Sequence, residues 1–379
     1  MRIAHIITRL IRGGADENTL LSCNAQAEHG HEVYLIYGDE VRQEMLARLD
    51  PRIHKLCVGS LRRAISPVHE IKATVEMVRL LRRIRPDIVH THTSKAGILG
   101  RVAARVAGVK GIVHGVHILP FLNVGRVEKI TYLVAERALV PFTDKYVNVS
   151  QGMMTAGIES NVGKPEKHLV IPSGMDIDKF RTAAPLSAAE VLQHFDVPDQ
   201  NIDLVLMVAA LEPRKRVYEF LDVFKRIVEG RPSACFAVLG EGIDRQRVEQ
   251  RLVELGLQGR VALLGFRDDV ERWIKSARVC VLSSEREGLP RVVVQYALGG
   301  SPAVVTALPG VEVIVKNGLT GFTVPIDDIP QMERPILDLL NDEELNARMR
   351  ANVQALDLEP WGVEHMTSEL EKVYSEVLA

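Results

Sequence analysis

Short apolar runs alternate with longer amphipathic segments along almost the whole chain. Runs of four to seven mostly apolar residues are typical of buried strands, and apolar positions three or four apart are typical of helices that face a core. Because strand and helix keep alternating, the pattern predicts an α/β protein with parallel sheets and right-handed crossovers. The predicted strands are residues 3–7, 33–37, 87–90, 111–116, 145–149, 204–210, 235–239, 261–264, 279–282 and 302–305, and a turn-and-strand pair is predicted over residues 311–315 and 318–324.

The amphipathic segments predict the helices, and glycines that follow them supply stop signals. A stretch with Pro and Gly, Pro172-Ser173-Gly174, separates a first strand–helix series from a second. Since 379 residues are many for one core, we expect two Rossmann-like domains facing one cleft. The predicted helices are residues 17–29, 68–85, 95–107, 127–139, 187–194, 217–229, 245–255 and 290–298, with further helical segments up to the C terminus.

The stretch after the predicted strand 279–282 carries the most informative polar residues. Glu287 and Gly288 precede Pro290, a residue favoured in the first turn of a helix. The N terminus of a helix presents free N–H groups and partial positive charge, so an anion could rest there. Because Glu287 would repel that anion, we expect its carboxylate to bind hydroxyl groups instead. A carboxylate beside a phosphate pocket is what a nucleotide-sugar site requires.

Basic residues follow the predicted strand 204–210, in the sequence Leu211-Glu212-Pro213-Arg214-Lys215-Arg216. When a sugar leaves a nucleotide diphosphate, negative charge develops on the departing phosphate, and fixed cations stabilise it. A Lys or an Arg can do this without a metal ion. The alternative is that the triplet is only the solvated start of a helix.

Gly13-Gly14 follows the first predicted strand and would let a ligand approach the backbone closely. The pair does not match the G-x-G-x-x-G pattern of dinucleotide sites, and a plain tight turn is the alternative interpretation.

Histidines cluster near the ends of two predicted strands. His90 and His92 lie two residues apart and so share one face of a strand. No Cys or carboxylate joins them at ligand spacing, so we expect no metal site. His117 follows the strand 111–116, where open α/β sheets hold their ligands, and we expect a function for it. For His114 we expect a structural role.

The near-neutral net charge hides an asymmetry between the two parts of the chain. Residues 1–185 carry 26 Lys and Arg against 18 Asp and Glu, whereas the remainder is acidic. A basic first part suggests an anionic partner such as a membrane surface or a phosphorylated acceptor, although an unevenly charged solvated surface is the alternative. The predicted helix 68–85 has a basic side and an apolar side, so it could lie against anionic lipid or pack its apolar side against a core. The basic side carries Arg79, Arg82, Arg83 and Arg85, and the apolar side carries Ile71, Val75, Val78 and Leu81.

Composition indicates a cytoplasmic protein. The four cysteines are far apart and form no C-x-x-C pair, which favours a reducing compartment. No signal peptide is apparent, and no apolar run approaches the roughly 20 residues of a membrane span.

Taken together, these motifs resemble the retaining glycosyltransferases of family 4, which have the GT-B fold. The resemblance covers nearly the whole chain and rests on the order of its motifs, which are Pro172-Ser173-Gly174, residues 211–215, Leu239-Gly240-Glu241-Gly242, Leu264-Gly265-Phe266 and the stretch 283–310. It implies an N-terminal acceptor-binding domain over residues 1–172, joined by a crossover helix at about 362–379. Residues 173–361 would form the domain that binds the nucleotide sugar.

The resemblance also implies roles for individual residues. Lys215 would bind the diphosphate, Glu287 the sugar hydroxyls, and His117 would lie near the transferred sugar. Where the family has a second Glu that binds the ribose, this chain has Gln295. Where the family has Gly-Arg, this chain has Ala209-Ala210 and so lacks one cation, for which Arg214 or Arg216 would have to compensate. Further implied contacts to the substrates come from Gly13, Gly14, Arg216, Arg267, Gly288 and Leu289.

By this resemblance we expect a metal-independent enzyme that transfers a sugar with retention of anomeric configuration. The expected donor is a nucleotide sugar, specifically a UDP-sugar, and the expected acceptor is lipid-linked or a glycan. The product would belong to a cell-surface polysaccharide such as lipopolysaccharide or capsule. We expect no cofactor and no nucleic-acid partner, and we expect peripheral docking on the inner face of the membrane. Two alternatives stay open. One is a UDP-sugar 2-epimerase, and the other is a non-catalytic binding protein on the same fold, for which Ala210 and Gln295 are the reason.

Overall fold

The computed structural model describes residues 1–11, 13–121, 125–198, 201–287 and 291–379. The chain forms two compact units. Unit 1 comprises Met1–Met175 with Glu359–Ala379, and unit 2 comprises Asp176–Leu358. The sequence placed the corresponding boundaries at residues 172 and 361. No helix within the described ranges combines the length and the apolar character needed to cross a membrane.

Unit 1 is built on a seven-stranded parallel sheet in the order β3-β2-β1-β4-β5-β6-β7. The order reverses between β1 and β4, which creates the switch point typical of doubly wound sheets. Its strands are β1 (Arg2–Ile7), β2 (Glu32–Tyr37), β3 (His54–Cys57), β4 (Ile88–His92), β5 (Gly111–Val116), β6 (Lys145–Asn148) and β7 (His168–Val170). Its helices are α1 (Gly14–Glu28), α2 (Gln43–Ala47), α3 (Pro67–Ile84), α4 (Ser94–Ala107), α5 (Arg126–Ala138), α6 (Gln151–Glu159) and the last helix of the chain, α15 (Val363–Leu378).

Unit 2 repeats the design with a six-stranded parallel sheet in the order β10-β9-β8-β11-β12-β13, and its switch point lies between β8 and β11. The strands are β8 (Asp203–Val208), β9 (Ala234–Leu239), β10 (Val261–Gly265), β11 (Val279–Leu282), β12 (Ala303–Thr306) and β13 (Gly321–Val324). The helices are α7 (Ile177–Thr182), α8 (Ala188–Leu192), α9 (Val217–Gly230), α10 (Arg245–Glu254), α11 (Val270–Ser276), α12 (Arg291–Leu298), α13 (Glu333–Asn341) and α14 (Glu343–Gln354).

Continuous apolar strands form the cores because helices cover both faces of a parallel sheet. In unit 2, Phe220 and Phe224 of α9 pack against Phe236 of β9, with ring centroids 5.1 and 5.2 Å apart. In unit 1, α15 contributes Leu370 and Tyr374 to a core cluster with residues of the sheet. The C-terminal helix therefore completes the core of the unit in which the chain begins.

The sequence pattern missed β3 and β7, which are the two edge strands of unit 1. Their side chains are exposed or half-buried, so neither strand carries the apolar run that marks a central strand. On α3, Leu81 is buried and Val78 packs against the same core cluster, whereas Ile71 and Val75 are exposed, so the core-facing interpretation is confirmed for only part of the predicted apolar side.

Candidate functional site

Two loops meet at the switch point of unit 2, where β8 and β11 end side by side. The backbone N–H of Glu285 donates to the carbonyl of Arg214 at 2.8 Å, and Ser283 Oγ donates to the carbonyl of Lys215 at 2.8 Å. These bonds join the basic loop after β8 to the acidic loop after β11. Glu287 is thereby placed beside Lys215 and Arg214, which lie 72 and 73 positions before it in the sequence.

The carboxylate of Glu287 is the centre of this cluster. One carboxylate oxygen contacts Lys215 Nζ and accepts from Ser284 Oγ at 2.9 Å. The other oxygen accepts from Arg214 Nη1 at 3.1 Å. The Lys215 and Glu287 side chains are each only 11% exposed, so solvent screens their interaction weakly. The structure thus brings together two residues that the sequence singled out separately.

Burial of the ammonium group lowers the pKa of Lys215, and the neighbouring Glu287 opposes that shift. Lysine has three N–H donors, and within the described ranges Glu287 is the only side chain that Lys215 Nζ bonds. Donors therefore remain for an anionic ligand. Glu212 neutralises part of the charge through its bond to Arg214 Nε at 2.8 Å, but this pair is more exposed.

Glycines of the loop after β9 allow the backbone below Lys215 to pack closely. A Cβ atom on Gly240 would lie 2.1 Å from the carbonyl oxygen of Ala209, and one on Gly242 would lie 2.1 Å from that of Leu211. Because neither contact is possible, only glycine fits at these positions. The Gly240-Glu241-Gly242 motif therefore supports the loop that carries Lys215.

Arg216 adopts a left-handed backbone conformation, with φ of 54°, at the start of α9. Its guanidinium group bonds Glu219, at 2.9 and 2.6 Å, and the carbonyl of Ile326. Arg214, by contrast, reaches Glu287. Of the two residues expected to compensate for the missing family cation, Arg214 is thus the one that the structure places beside Lys215.

The remaining predicted residues of unit 2 lie on two elements. Arg267 forms a bidentate ion pair with Asp269, at 2.8 and 2.7 Å. Gln295 is half-buried on α12. Gly288 and Leu289 lie outside the described residues.

Tyr296, next to Gln295, was not singled out from the sequence. Its fully buried hydroxyl accepts from the N–H of Val208 at 2.9 Å and donates to the carbonyl of Val281 at 3.0 Å. These bonds fix α12 to the ends of β8 and β11. The only sequence signal for this role is an aromatic residue on the apolar face of a helix.

In unit 1, Gly13 is the N-cap of α1 and Gly14 is the first residue of that helix. The carboxylate of Asp16 accepts from the backbone N–H groups of Ile11 and Gly13, both at 2.9 Å. Burial raises the pKa of this carboxyl group. Because Asp16 already occupies these two donors, they are not available to a phosphate in this conformation.

Four histidines of unit 1 lie together at the switch point between β1 and β4. The parallel register pairs His5 with His90 and aligns His92 with Gly115, so these residues share one region of the sheet. His117 follows β5 and its Nε2 lies 3.1 Å from His92 Nδ1. The neighbouring His114 bonds Thr91 Oγ1 at 2.9 Å, within the core.

Nitrogen atoms of His5, His90 and His92 all lie within 4.8 Å of one another, a spacing that could hold a metal ion. The sequence argument against a metal considered only residues near His90 in the chain, and it missed His5, which the sheet register supplies. Burial lowers the pKa of His5 to about 4 and the pKa values of His90 and His92 well below the usual value. All three rings are therefore neutral at pH 7.

Two family models match the chain in sequence. The model described as Glycosyltransferase Family 4 matches residues 12–179, and the model described as Glycosyl transferases group 1 matches residues 194–355. Between them they cover most of unit 1 and most of unit 2. The chain belongs to the family 4 glycosyltransferases.

Two relatives of this family 4 glycosyltransferase are similar to it over nearly their full length. The UDP-Gal:alpha-D-GlcNAc-diphosphoundecaprenol alpha-1,3-galactosyltransferase of Escherichia coli is 29% identical over 350 residues, covering 91% of this chain and 89% of that protein. The N-acetyl-alpha-D-glucosaminyl L-malate synthase of Bacillus anthracis is 23% identical over 356 residues, covering 93% and 91%.

Solved structures of other proteins share the GT-B fold. Anabaena HepE in complex with UDP and glucose superposes with a TM-score of 0.82 at 19% identity, covering 99% of each chain. WaaG, a glycosyltransferase involved in lipopolysaccharide biosynthesis, gives a TM-score of 0.75 at 14% identity, also covering 99% of each chain. At these identities the likeness establishes the fold of this glycosyltransferase.

Proposed function

We propose that this glycosyltransferase moves a sugar, with retention of anomeric configuration, from a UDP-sugar to a lipid-linked or glycan acceptor in cell-surface polysaccharide synthesis. The observation that carries the proposal is the cluster of Lys215, Arg214 and Glu287 at the switch point of unit 2. The Escherichia coli relative supports it, since its name gives UDP-Gal as donor and a diphosphoundecaprenol-linked sugar as acceptor. The complex of HepE with UDP and glucose supports the choice of nucleotide.

Lys215 and Arg214 would stabilise the diphosphate as it leaves. In the reaction, the bond between the anomeric carbon and the phosphate oxygen breaks, and an acceptor hydroxyl bonds that carbon on the same face. The acceptor's proton passes to an oxygen of the leaving UDP, so the step requires no separate protein base. We propose that these two cations neutralise the leaving group in place of a metal ion.

Glu287 would bind hydroxyl groups of the transferred sugar, since a carboxylate accepts several hydrogen bonds. Gln295 would contact the ribose, where an amide accepts at one end and donates at the other. The loop at Arg267 would face the base, with Gly288 and Leu289 supplying N–H groups near the phosphate. His117 would lie near the transferred sugar, beside the loop of Gly13 and Gly14.

We propose that helix α5 of unit 1 docks on an anionic membrane. On α5, Val127, Ile130 and Val134 are 78%, 55% and 62% exposed, and they recur at helical spacing on one face. Arg126 and Lys129 lie exposed among them. Apolar residues flanked by cations suit the headgroup region of anionic lipid, which would bring the enzyme to a lipid-linked acceptor.

A donor and acceptor screen tests the proposal. Purified protein would be incubated with UDP-galactose, UDP-glucose or UDP-N-acetylglucosamine and with undecaprenyl-diphosphate N-acetylglucosamine, in the presence and absence of EDTA. We expect one donor to give an α-linked product at a rate that EDTA leaves unchanged.

Each part of the proposal has its own contrary result. A β-linked product would contradict retention, and loss of rate in EDTA that added Mg²⁺ restores would contradict metal independence. Binding of UDP without transfer to any acceptor would favour the non-catalytic alternative. Conversion of the donor to its 2-epimer without acceptor would favour the epimerase.

A further inference from the structure

A chain of hydrogen bonds runs from helix α1 to His117 through the core of unit 1. Gln26 Oε1 lies 2.8 Å from His5 Nε2, His5 Nδ1 lies 2.9 Å from His92 Nε2, and His92 Nδ1 lies 3.1 Å from His117 Nε2. Gln26 and His5 are fully buried, and His92 is 1% exposed. We call these four residues the histidine chain.

Gln26, at one end of the histidine chain, determines which nitrogen of each ring donates and which accepts. The amide nitrogen of Gln26 donates to Tyr374 Oη at 3.3 Å, so the amide oxygen faces His5. Because that oxygen can only accept, His5 carries its proton on Nε2 and accepts at Nδ1. His92 then donates from Nε2, and its Nδ1 accepts a proton from His117 Nε2.

This assignment requires that each ring of the core carries a single proton. Burial lowers the pKa of His5 to about 4 and that of His92 well below its usual value, so both are neutral at pH 7. A neutral imidazole has one donor and one acceptor nitrogen. In His5 and in His92, one ring nitrogen therefore donates a hydrogen bond and the other accepts one. The direction of donation is thus fixed along the histidine chain as far as His117.

The same hydrogen bonds show what a metal ion among these rings would have to displace. Within the described ranges, His90 Nε2 is the only buried histidine nitrogen of this region without a hydrogen bond. Nδ1 of His90 is held by Tyr374 Oη at 2.6 Å. A zinc ion takes three or more ligands, so it would have to displace the hydrogen bonds that the lone pairs of His5 and His92 accept in this conformation. The adjoining cavity, lined by His90, His92 and His117, is about 10 Å³, close to the size of one water.

Packing holds the rings in place. The rings of His5 and His92 are nearly parallel, with an interplanar angle of 12° and centroids 5.2 Å apart. A Cβ atom on Gly115 would lie 3.0 Å from His92 Nδ1 and 3.4 Å from His117 Nε2. Glycine at this position thus leaves the room that the bond between the two histidines needs.

We propose that His92, backed by His5 and Gln26, is a positioning residue that fixes the orientation of His117 and holds the proton of its ring on Nε2. The inference rests on the proposed function in one respect, namely that His117 lies near the transferred sugar. His92 would act through His117 alone. It would make transfer efficient by holding one ring in one tautomer, without contact to either substrate.

Two substitutions of His92 separate the two sides of its ring. In His92→Asn the amide is attached at the Cγ position, like Nδ1, so the contact to His117 can survive. In His92→Gln the amide reaches the position of Nε2, so the contact to His5 can survive and that to His117 is lost. We expect His92→Asn to keep most of the transfer rate and His92→Gln to lose about 100-fold in kcat, since a small misplacement of a group beside the substrate can cost that much.

A matched control and a second variant guard against simple misfolding. His114→Gln changes a buried histidine one strand away that bonds Thr91 and lies outside the histidine chain, and we expect its kcat to stay near that of the wild type. Gln26→Met keeps the shape of the side chain but removes the amide that accepts from His5. We expect this variant to lose less kcat than His92→Gln. If the histidine chain is correct, all folded variants bind UDP as the wild type does.

A double-mutant cycle with His117→Ala tests whether His92 acts through His117. We expect the effect of His92→Gln to disappear when His117 is absent; an equal loss in both backgrounds would show a merely structural role and overturn the proposal. If His117→Ala itself leaves kcat unchanged, the role assigned to His117 under the proposed function is wrong instead.

Two measurements do not depend on activity. Long-range ¹H–¹⁵N spectra of histidine-labelled protein should show His117 protonated on Nε2 in the wild type and a changed signal in His92→Gln. A His117 signal typical of the Nδ1–H tautomer would overturn the proposal. So would a stoichiometric transition metal in protein purified without chelator, because the ring lone pairs would then be ligands.

Discussion

At the scale of single residues, Glu287 forms ion pairs with Lys215 and Arg214, the two cations that we assign to the diphosphate. Lys215 is buried, its pKa is lowered by that burial, and its charge is balanced by Glu287. Both residues belong to sequence motifs, but their pairing does not follow from either motif. It depends on the bonds between the loops after β8 and β11, which involve backbone groups and Ser283.

Removing these two charges should have different consequences. We expect Lys215→Ala to weaken UDP binding by about 10- to 100-fold, because a charge-assisted hydrogen bond contributes about 1.5–3 kcal/mol. Glu287→Gln should leave UDP binding intact or tighter, since it removes a competitor for the cations, while transfer falls by about 100-fold. Titration calorimetry with UDP and a transfer assay measure the two effects.

Lys225→Ala provides the matched control, because Lys225 is an exposed lysine on α9 paired with Glu229 at 3.8 Å. It should change neither quantity. Unchanged UDP affinity in Lys215→Ala would contradict the assignment of Lys215 to the diphosphate, and loss of UDP binding in Glu287→Gln would show that Glu287 supports the nucleotide itself.

At the scale of elements, the exposed faces of helices were harder to predict than the helices themselves. The period of apolar residues gave α3 and α5 to within a few residues. It could not show that Ile71 on α3 and Ile130 on α5 face solvent. An apolar helix face has the same residue spacing whether it packs against a core or lies on the surface. Which face is covered depends on neighbouring elements that lie far away in sequence.

The apolar face of α5 leads to a prediction about membranes. Replacing Val127, Ile130 and Val134 by Ser should reduce binding to vesicles that contain anionic phosphatidylglycerol by about tenfold or more, because roughly 0.8 kcal/mol is lost for each CH₂ group no longer buried. Cosedimentation with vesicles measures this, and activity on a short water-soluble acceptor should be kept.

Ile243 in unit 2 serves as the control, since it is 85% exposed and apolar but lies in the acidic part of the chain. Ile243→Ser should bind vesicles as the wild type does. If the α5 variant does so as well, the membrane surface lies elsewhere or is absent.

At the scale of the whole molecule, unit 1 depends on histidines that stay neutral in its core. An unfolded histidine has a pKa near 6.5, whereas burial lowers the folded pKa, so the unfolded chain binds more protons as the pH falls below 6.5. Stability that is present above this pH is therefore lost on acidification. The histidines concerned are His5, His90, His92 and His114.

We expect the free energy of unfolding of unit 1 to fall steeply between pH 6.5 and pH 4. His5, with its pKa lowered to about 4, accounts for about 3 kcal/mol of this loss at pH 4. Asp16 and His29, whose folded pKa values are raised, oppose the trend but are fewer. Denaturant unfolding at several pH values measures the slope.

His5→Gln is the matched variant, because the amide can still bond at the position of Nε2 but does not titrate. Its stability should depend less on pH than that of the wild type over the same interval. Equal pH dependence in both proteins would show that His5 is not buried in neutral form.

The amino-acid sequence was enough to predict the two parallel-sheet units, their central strands and the motifs around Lys215, Glu287 and His117. It could do so because buried parallel strands need apolar runs and tight loops need glycine, and both requirements are local. The folded chain was needed to show that Arg214 rather than Arg216 bonds Glu287, and that His5 and Gln26 lie behind His92. Those contacts arise from strand register and loop-to-loop bonds, which bring together residues that no local pattern connects.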